Sequence, residues 1–507
     1  MGRHNRCVSE ERRYRGMWWI PNADNAAGGA EKVGGILTID AAGRVQLEVM
    51  SPLVNGREED GTIRRSSRSL DEPTLIHGAA EGKPITLLNC LQMSGQTSVV
   101  PVYTETQVFR AEAGVVGYWL GSTDEQAFVG MRVEMSHLTE WSGISGLTES
   151  LSTAHPDDEQ SATAASKEAY AVTLSTVPTE SVELPDEEIS VRLVSSQSFG
   201  PGGKDNAWGR TKQIRERTLY EVLAPQPRDA LDAFRDAVRP VQNVLTLATQ
   251  SPCAVGGREF ILTAPDEAGG PRVELFFHGE DIEITSRREW HDLLFTLDDF
   301  GGPQALSKWY ALSRRIGPPL NVLFGLDYES DGYYDTRLFT VAAVVEGFHS
   351  TLCPASTAIP ADDHKKIRDL IKAALKGVDH REWALNAVGR NRSGLTKRCV
   401  ELTELADATA VESLLGDAQV WAKWLVWARN AVGHGNLTNP RDDDTPEEAY
   451  YRLFDITKHL LHLILMNQLG LDAALQQRAV TGHWGYQARR FRELVSAYKG
   501  RPASHSG

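Results

Sequence analysis

The sequence has few cysteines, no long apolar run and no excess of positive charge. Its five cysteines are scattered and form no Cys-x-x-Cys pair, which argues against a disulfide framework or a zinc ribbon. No apolar run is long enough to cross a bilayer, and the charged first residues lack the apolar core of a secretory signal. We therefore expect a cytoplasmic protein with no membrane segment. The net charge of -15 excludes a surface coated in positive charge for non-specific nucleic-acid binding.

Several common catalytic and binding motifs are also absent from the sequence. No Gly-x-Gly-x-x-Gly stretch follows a strand pattern, and Lys204 is followed by Asp205 where a P-loop needs Ser or Thr. The stretch SGISGL lacks the second glycine of a nucleophile elbow. His459 and His462 lie three residues apart without a third ligand, so we interpret them as half-buried helix histidines. We expect neither a cofactor nor a metal ion.

The chain changes in character along its length. Residues 1–299 are rich in strand patterns such as GGILTIDAAGRVQLEVM, interrupted at 148–170 by a low-complexity insertion of Ser, Thr, Ala and acidic residues. The first strong helix pattern, PRDALDAFRDAVRPVQNVLTLAT, is predicted to break near Pro240. Residues 300–507 carry apolar side chains at three- and four-residue spacings. The sequence predicts an α+β multidomain chain, with a β-rich N-terminal domain followed by an all-α helical bundle.

Trp18 and Trp19, in the stretch GMWWIP, are the best candidates for a binding platform in the β-rich half. Adjacent indoles can stack on bases or sugars, but aromatic side chains at the start of a β domain are more often part of its core. We therefore favour a core position. A β domain that binds carbohydrate or peptide, with a structural helical tail, is the alternative in which these tryptophans act.

The stretch WARNAVGHGN places three polar groups at the end of an apolar helix pattern. A residue of an α-helix advances by about 100°, so Asn430 and His434 share one face, with Arg429 at its edge. Gly435 is a natural helix terminator. An imidazole can exchange a proton with an RNA 2′-hydroxyl, and a guanidinium can hold the phosphate oxygens. The trio suits cleavage of RNA without a metal ion.

The spacing of this motif is not specific by itself. Arg followed by four to six residues and then His also occurs at Arg132/His137, Arg272/His278, Arg452/His459 and Arg478/His483. The setting distinguishes Arg429 and His434, because Asn follows the arginine at once and glycine follows the histidine. The alternative is that the two side chains cap the C-terminal end of a helix and contribute stability alone.

A basic segment precedes this motif in the sequence. From His364 to Arg398 there are ten Lys or Arg residues against three acidic residues, in a chain whose total charge is -15. A local basic patch on an acidic protein is typical of phosphate binding, although a solvated helix face has the same composition. The candidates for RNA binding are Lys365, Lys366, Arg368, Lys372, Arg390 and Arg392.

The R-N-x-x-x-H stretch in a helical domain resembles the HEPN superfamily of ribonucleases. RLFTVAAVVEGFHS resembles the preceding helix of ApeA-like anti-phage proteins, with its Glu-x-x-His element at Glu346 and His349, and RSGLTKRCVEL resembles the segment that follows. GMWWIP, GGILTID, HLTEWSGISGL and LFTLDDF resemble the β-rich N-terminal domain of that family. Together these stretches are spread over most of the chain.

The resemblance implies roles for particular residues and partners. Arg429 and His434 would be the catalytic pair, Asn430 the polar residue within the motif, and Glu346 the acidic partner that holds Arg429 or His434. It also implies a homodimer through the HEPN domain. The implied activity is cleavage of RNA, either tRNA or another RNA of translation, in abortive infection after an unknown phage trigger.

A second hypothesis gives the helical domain no catalytic role. It would then be a silent HEPN-like module for dimerisation or RNA binding, and the β-rich domain would sense a ligand. In that hypothesis His434 is a helix cap, and its substitution changes stability alone.

Overall fold

The computed structural model describes most of the chain in two compact units, Met1–Ser307 and Lys308–Gly507. The described residues are 11–21, 32–51, 53, 58–59, 62–63, 74–98, 104–153, 168–184, 186, 188–201, 212–229, 232–262, 273–277, 288–329, 332–434 and 447–499. The first unit is β-rich and the second is helical, so the predicted α+β class is confirmed. The predicted boundary between residues 299 and 300 stays a prediction.

The described strands, all but a few of which belong to one large sheet, lie in the first unit. They are β1 Arg12–Trp19, β2 Val33–Ile39, β3 Val45–Val49, β4 Glu58–Glu59, β5 Thr62–Ile63, β6 Thr74–Ala80, β7 Lys83–Ser98, β8 Thr104–Ala111, β9 Ala113–Val116, β10 Phe128–Met135, β11 Leu147–Thr153, β12 Glu168–Leu174, β13 Ser181–Leu184, β14 Ile189–Pro201, β15 Lys212–Arg228, β16 Val255–Leu262 and β17 Val273–Phe277.

The large sheet is antiparallel, and its strand order departs from chain order. The order is β13-β14-β15-β10-β16-β17-β9-β7-β6-β1-β2-β3-β8, and an additional pairing of β7 with β8 closes six of these strands into a ring. Side chains inside the ring form an apolar core that includes Trp18, Leu37, Leu47, Ile76 and Leu87. Successive side chains of a strand point to opposite faces of the sheet, so every second side chain faces this core.

The β2–β3 hairpin shows how local sequence forms part of the sheet. Asp40 accepts hydrogen bonds from the backbone N–H groups of Ala42 and Arg44 at 3.0 and 2.8 Å. Gly43 has a φ of 79°, which glycine adopts without the steric cost of a side chain. These contacts shape the turn that joins the two strands.

The segment 148–170, which the sequence predicts to be a low-complexity insertion, forms a strand at each of its two ends. Strands β11 and β12 pair as a separate two-stranded sheet, with Leu147 opposite Leu174 and Thr153 opposite Glu168. Residues 154–167 between them lie outside the described residues.

The described helices fall mainly in the second unit. They are α1 Leu138–Ser142, α2 Asp232–Thr249, α3 Leu297–Phe300, α4 Leu306–Ile316, α5 Pro318–Tyr328, α6 Tyr334–Leu352, α7 Ala361–Ala374, α8 Arg381–Ala387, α9 Leu395–Thr403, α10 Ala408–Leu415, α11 Ala418–His434, α12 Glu447–Leu469, α13 Ala473–Arg478 and α14 Gly485–Lys499. In the described part of the chain, no helix is both long and apolar enough to cross a membrane.

The predicted break of the first long helix at Pro240 is wrong. Helix α2 continues through Pro240 to Thr249. A proline inside a helix costs about 3 kcal/mol because it lacks an N–H group and crowds the preceding turn. The helix buries Val238, Val241 and Leu245 completely, and each such side chain contributes about 1.5–3 kcal/mol on burial. Burial of this face therefore outweighs the cost of the proline.

The helical unit is built around α6, α9, α11 and α12. Helix α6 packs against α5, α9, α11 and α12, and α10 and α14 cover the remaining side of α12. An ion pair of 2.7 Å between Lys458 Nζ and Asp327 Oδ1 joins α12 to α5. The candidate catalytic residues lie on α6 and α11, which are in direct contact.

Candidate active site

Helix α11 carries the Arg-Asn-x-x-x-His stretch in its last turns. Asp417 caps its start, because the carboxylate accepts hydrogen bonds from the backbone N–H groups of Gln419 and Val420 at 2.8 and 3.1 Å. Apolar side chains at three- and four-residue spacing bury one face, which leaves Arg429 half-buried and Asn430 exposed. The completely buried positions are Trp421, Ala422, Trp424 and Ala428.

His434 is the last residue of α11. Its backbone belongs to the described helix, whereas its side chain lies outside the described residues. The helix is continuous from Asn430 to His434, as the predicted sharing of one face requires. The prediction that Gly435 ends the helix falls outside the described residues.

Arg429 contacts three groups around the end of α11. Its Nη2 atom lies 3.4 Å from Glu346 Oε1, at the long end of hydrogen-bond distances. Its Nη1 atom donates a hydrogen bond of 3.2 Å to Asn430 Oδ1, and its guanidinium carbon lies 5.8 Å from the centre of the Phe339 ring. The side chain is 34% exposed, so the guanidinium is held by protein groups and remains accessible to a ligand.

Glu346 joins a second arginine to the site. Arg398, on α9, places Nη2 3.2 Å from Glu346 Oε2, and its side chain is only 17% exposed. One carboxylate thus faces two guanidinium groups, so this cluster has a net positive charge. In the sequence, Arg398 stands out only as the last residue of the basic segment, and its place beside Glu346 was not predicted.

A second polar cluster lies one turn further along α6. His349 Nε2 lies 2.7 Å from Glu401 Oε2, and the Ser356 hydroxyl donates to the same oxygen at 2.6 Å. Lys397 Nζ lies 3.6 Å from the other carboxylate oxygen. The hydrogen bonds from Ser356 and His349, together with the positive charge of Lys397, lower the pKa of Glu401 below its usual value.

The two clusters follow complementary spacings in the sequence. Helix α6 has Glu-x-x-His at Glu346 and His349, and α9 has Arg-x-x-Glu at Arg398 and Glu401. Both contacts join residues that are 52 positions apart. The matching spacing of Glu-x-x-His and Arg-x-x-Glu was a signal that could have identified Arg398 from the sequence.

The six candidates for RNA binding are all exposed. Four of them lie on α7, which buries no side chain, and Arg390 and Arg392 lie between α8 and α9. Within the described part of the chain, no hydrogen bond or ion pair joins any of the six to Arg429, Asn430 or Glu346. The basic segment reaches the site through its last residue, Arg398.

His459 and His462 lie in the core of the helical unit and not at its surface. They are 8% and 2% exposed, and the His459 ring stacks on Trp484 with centres 4.5 Å apart. Burial, with a smaller contribution from the positive charge of Lys458, lowers the pKa of both imidazoles well below 6.5. Among the described residues, no group of three or more His, Cys, Asp or Glu side chains could hold a metal ion.

The two adjacent tryptophans of β1 have different positions. Trp18 is completely buried in the sheet core, as expected, whereas Trp19 is half-buried. The Trp19 ring meets His77 and Trp119 edge-on, with centres 5.9 and 5.6 Å away. Trp18 is therefore unavailable to a ligand, and the two side chains do not form a joint platform.

Comparison with protein families gives a match in each half of the chain. Residues 13–309 match ApeA N-terminal domain 1, and residues 339–475 match the Apea-like HEPN domain. The chain belongs to the ApeA-like family. The resemblance read from the sequence is thereby confirmed, and the ApeA-like HEPN domain places the chain among anti-phage HEPN nucleases. No curated protein and no solved structure matches the chain.

The ApeA-like HEPN match spans the whole candidate site. Glu346, Arg398, Arg429, Asn430 and His434 all lie within residues 339–475. The catalytic and RNA-binding roles of the individual residues stay predictions.

Proposed function

We propose that this ApeA-like protein is a metal-independent endoribonuclease that cleaves RNA through the 2′-hydroxyl, in the cytoplasm, as part of abortive infection. The observation that carries the proposal is the cluster at the end of α11. There Arg429 faces Glu346 at 3.4 Å and Asn430 at 3.2 Å, within the HEPN match. A third of the Arg429 side chain is exposed, so its guanidinium can meet a phosphate.

The proposed reaction needs one base and one cation. The imidazole of His434 takes the proton of the 2′-hydroxyl, and the 2′ oxygen attacks the phosphorus. The bond from phosphorus to the 5′ oxygen breaks, and that oxygen takes a proton from water. The products are a 2′,3′-cyclic phosphate and a 5′-hydroxyl end, and DNA is not a substrate because it lacks the attacking group.

Arg429 stabilises the negative charge that develops on the non-bridging oxygens. Glu346 and Asn430 hold its guanidinium in place before substrate binds. Arg398 offsets the charge of Glu346, so the carboxylate does not repel the phosphate. The six exposed basic residues bind the RNA backbone further along the strand.

The proposed partners are RNA and a second copy of the chain. A tRNA or another RNA of translation would be cut, and dimerisation would take place through the HEPN domain. Because constant cleavage would kill the host, the β-rich domain would hold the nuclease inactive until a phage trigger arrives.

The test is growth arrest of a bacterial host, with and without phage, combined with sequencing of RNA ends. We expect His434→Ala and Arg429→Ala each to lower cleavage by about 10²–10⁴-fold, because each removes a group needed in the transition state. Arg489→Ala, which removes an exposed arginine of α14, is the matched control and should cleave as the wild type does. Thermal unfolding verifies that each variant is folded.

Two results would contradict the proposal. Equal cleavage by wild type and both variants would indicate that Arg429 and His434 only cap the helix. RNA that is bound but never cut, under any trigger, would favour the silent dimerisation or RNA-binding module.

A further inference from the structure

Phe339 is an aromatic side chain at the edge of the candidate site. It lies on α6 seven residues before Glu346, so the two side chains are about 20° apart around the helix and share one face. The neighbouring Leu338, Val341 and Ala342 are completely buried, whereas Phe339 is 38% exposed. The ring therefore contributes little to the core of the bundle.

The Phe339 ring lies against the last turn of α11. The guanidinium carbon of Arg429 is 5.8 Å from its centre, within the range of a cation–π contact. A Cβ atom at Gly433 would lie 3.3 Å from Cε2 of the ring. Arg429 and Gly433 are one helical turn apart, and Gly433 directly precedes His434. The ring thus borders both ends of the predicted catalytic motif.

The charge around the ring favours an anionic ligand. The ring itself favours a ligand that also has flat apolar faces. Arg398 and Arg429 together exceed the charge of Glu346, and Arg429 remains partly accessible. Unpaired nucleotides combine a phosphate with a base that can stack on an aromatic side chain. An exposed phenyl ring next to a phosphate-binding guanidinium matches both parts of such a nucleotide.

We propose that Phe339 stacks on the base next to the phosphate held by Arg429, which makes it a further substrate-binding residue of the site. The inference rests on the proposed function and adds one residue to it. A paired base is already stacked within its duplex and does not reach the ring, so loops and unpaired ends are bound and duplexes are not. Stacking reads no base edge, so the contact tolerates any of the four bases.

The test uses a short single-stranded oligoribonucleotide with 2′-O-methyl groups and one 2-aminopurine base. The methyl groups block the attacking hydroxyl, so binding is measured separately from cleavage. Fluorescence anisotropy gives the dissociation constant, and quenching of 2-aminopurine reports stacking. An unmodified RNA of the same sequence is used in parallel for cleavage, and the corresponding duplex is the comparison substrate.

The variants separate aromatic stacking from apolar packing. Phe339→Leu keeps an apolar side chain against Gly433 and removes the ring, and Phe339→Trp restores a larger ring. We expect Phe339→Leu to bind about 5- to 150-fold more weakly with loss of quenching, and Phe339→Trp to retain both. Val322→Ala, at an apolar position of α5 that is 43% exposed, is the control and should behave as wild type.

The outcomes distinguish this inference from the proposed nuclease activity. If wild type binds and quenches but does not cut the unmodified RNA under any trigger, stacking stands and the nuclease proposal fails. If Phe339→Leu binds, quenches and cuts as wild type does, stacking is wrong and the nuclease proposal stands. Loss of dimer in Phe339→Leu with unchanged RNA affinity would assign the ring to a contact between copies. No binding of RNA by wild type would overturn both.

Discussion

Glu346 holds two guanidinium groups on its two carboxylate oxygens. Arg398 is largely buried there, whereas Arg429 is partly exposed at a longer distance. The less exposed arginine can therefore remain on the carboxylate while the more exposed one moves toward a phosphate. In the proposed reaction, this difference gives Glu346 a positioning role, and proton transfer is left to His434.

At the residue scale, we predict that Glu346→Gln lowers both stability and cleavage. The amide keeps the shape of the side chain but removes the charge, which leaves two arginines near each other without compensation. We expect a loss of about 1–2 kcal/mol in the free energy of unfolding, because Arg398 is mostly buried. Urea denaturation and a cleavage assay measure the two effects.

Asp363→Asn is the matched control for this charge removal. The Asp363–Lys366 pair spans 3.1 Å, but its side chains are 55% and 74% exposed, so its loss should cost less than about 0.5 kcal/mol. Equal stability and cleavage in Glu346→Gln and wild type would show that Glu346 does not hold the site together.

At the scale of elements, α12 places two imidazoles inside the helical unit. His459 and His462 are neutral there because burial holds the pKa of both well below 6.5. Between that lowered pKa and about 6.5, the unfolded chain binds protons that the folded chain does not. Protons therefore favour unfolding in this window.

We predict that the free energy of unfolding falls as the pH drops below about 6.5. Above that pH the two imidazoles do not affect it. Each imidazole contributes a slope of up to about 1.4 kcal/mol per pH unit. The free energy of unfolding, measured by urea denaturation between pH 7 and pH 5, gives this slope. His459→Phe/His462→Leu, which cannot take up the protons, should show a shallower dependence than wild type. Parallel curves would contradict the assignment.

Apolar spacing predicted the main helices of the second unit, but it did not predict their contacts. Buried residues such as Val341 and Val345 recur on one face of α6, which a single sequence reveals. The pairing of Arg398 with Glu346 depends on how α6 and α9 pack, which the apolar spacing of each helix does not determine. The continuity of α2 through Pro240 was likewise missed, because it depends on burial against other elements.

At the scale of the whole molecule, each unit has its own apolar core and is a candidate for independent folding. We predict that a fragment beginning at Gly301, before α4, folds alone and arrests growth without phage. Removal of the β-rich half would remove the proposed inhibition. Circular dichroism reports helix content, and induction in a bacterial host reports toxicity.

The same fragment with His434→Ala is the control and should be folded and harmless. A folded wild-type fragment that is also harmless would show that the β-rich half activates the nuclease and does not restrain it. An unfolded fragment would show that the predicted division of the chain is wrong.

The strand content of the first unit could be predicted, whereas its strand order could not. Alternating side chains such as Val45, Leu47 and Val49 identify a strand with one buried face. The alternation does not predict that β9 lies between β17 and β7, because strand order depends on pairing between distant parts of the chain. The sequence likewise suggested most residues of the candidate site, whereas the position of Arg398 beside Glu346 came from the structure.

The complementary spacing of α6 and α9 has a consequence for divergence among relatives. Both contacts have the same offset of 52 residues, so a change in length between Leu352 and Leu395 shifts them together and preserves both. One residue inserted between Arg398 and Glu401 would rotate the second contact by about 100° and separate the pair. A change in the length of the α7–α8 segment would therefore disturb neither contact, whereas a substitution at one of these four helical positions would require a matching change at its partner.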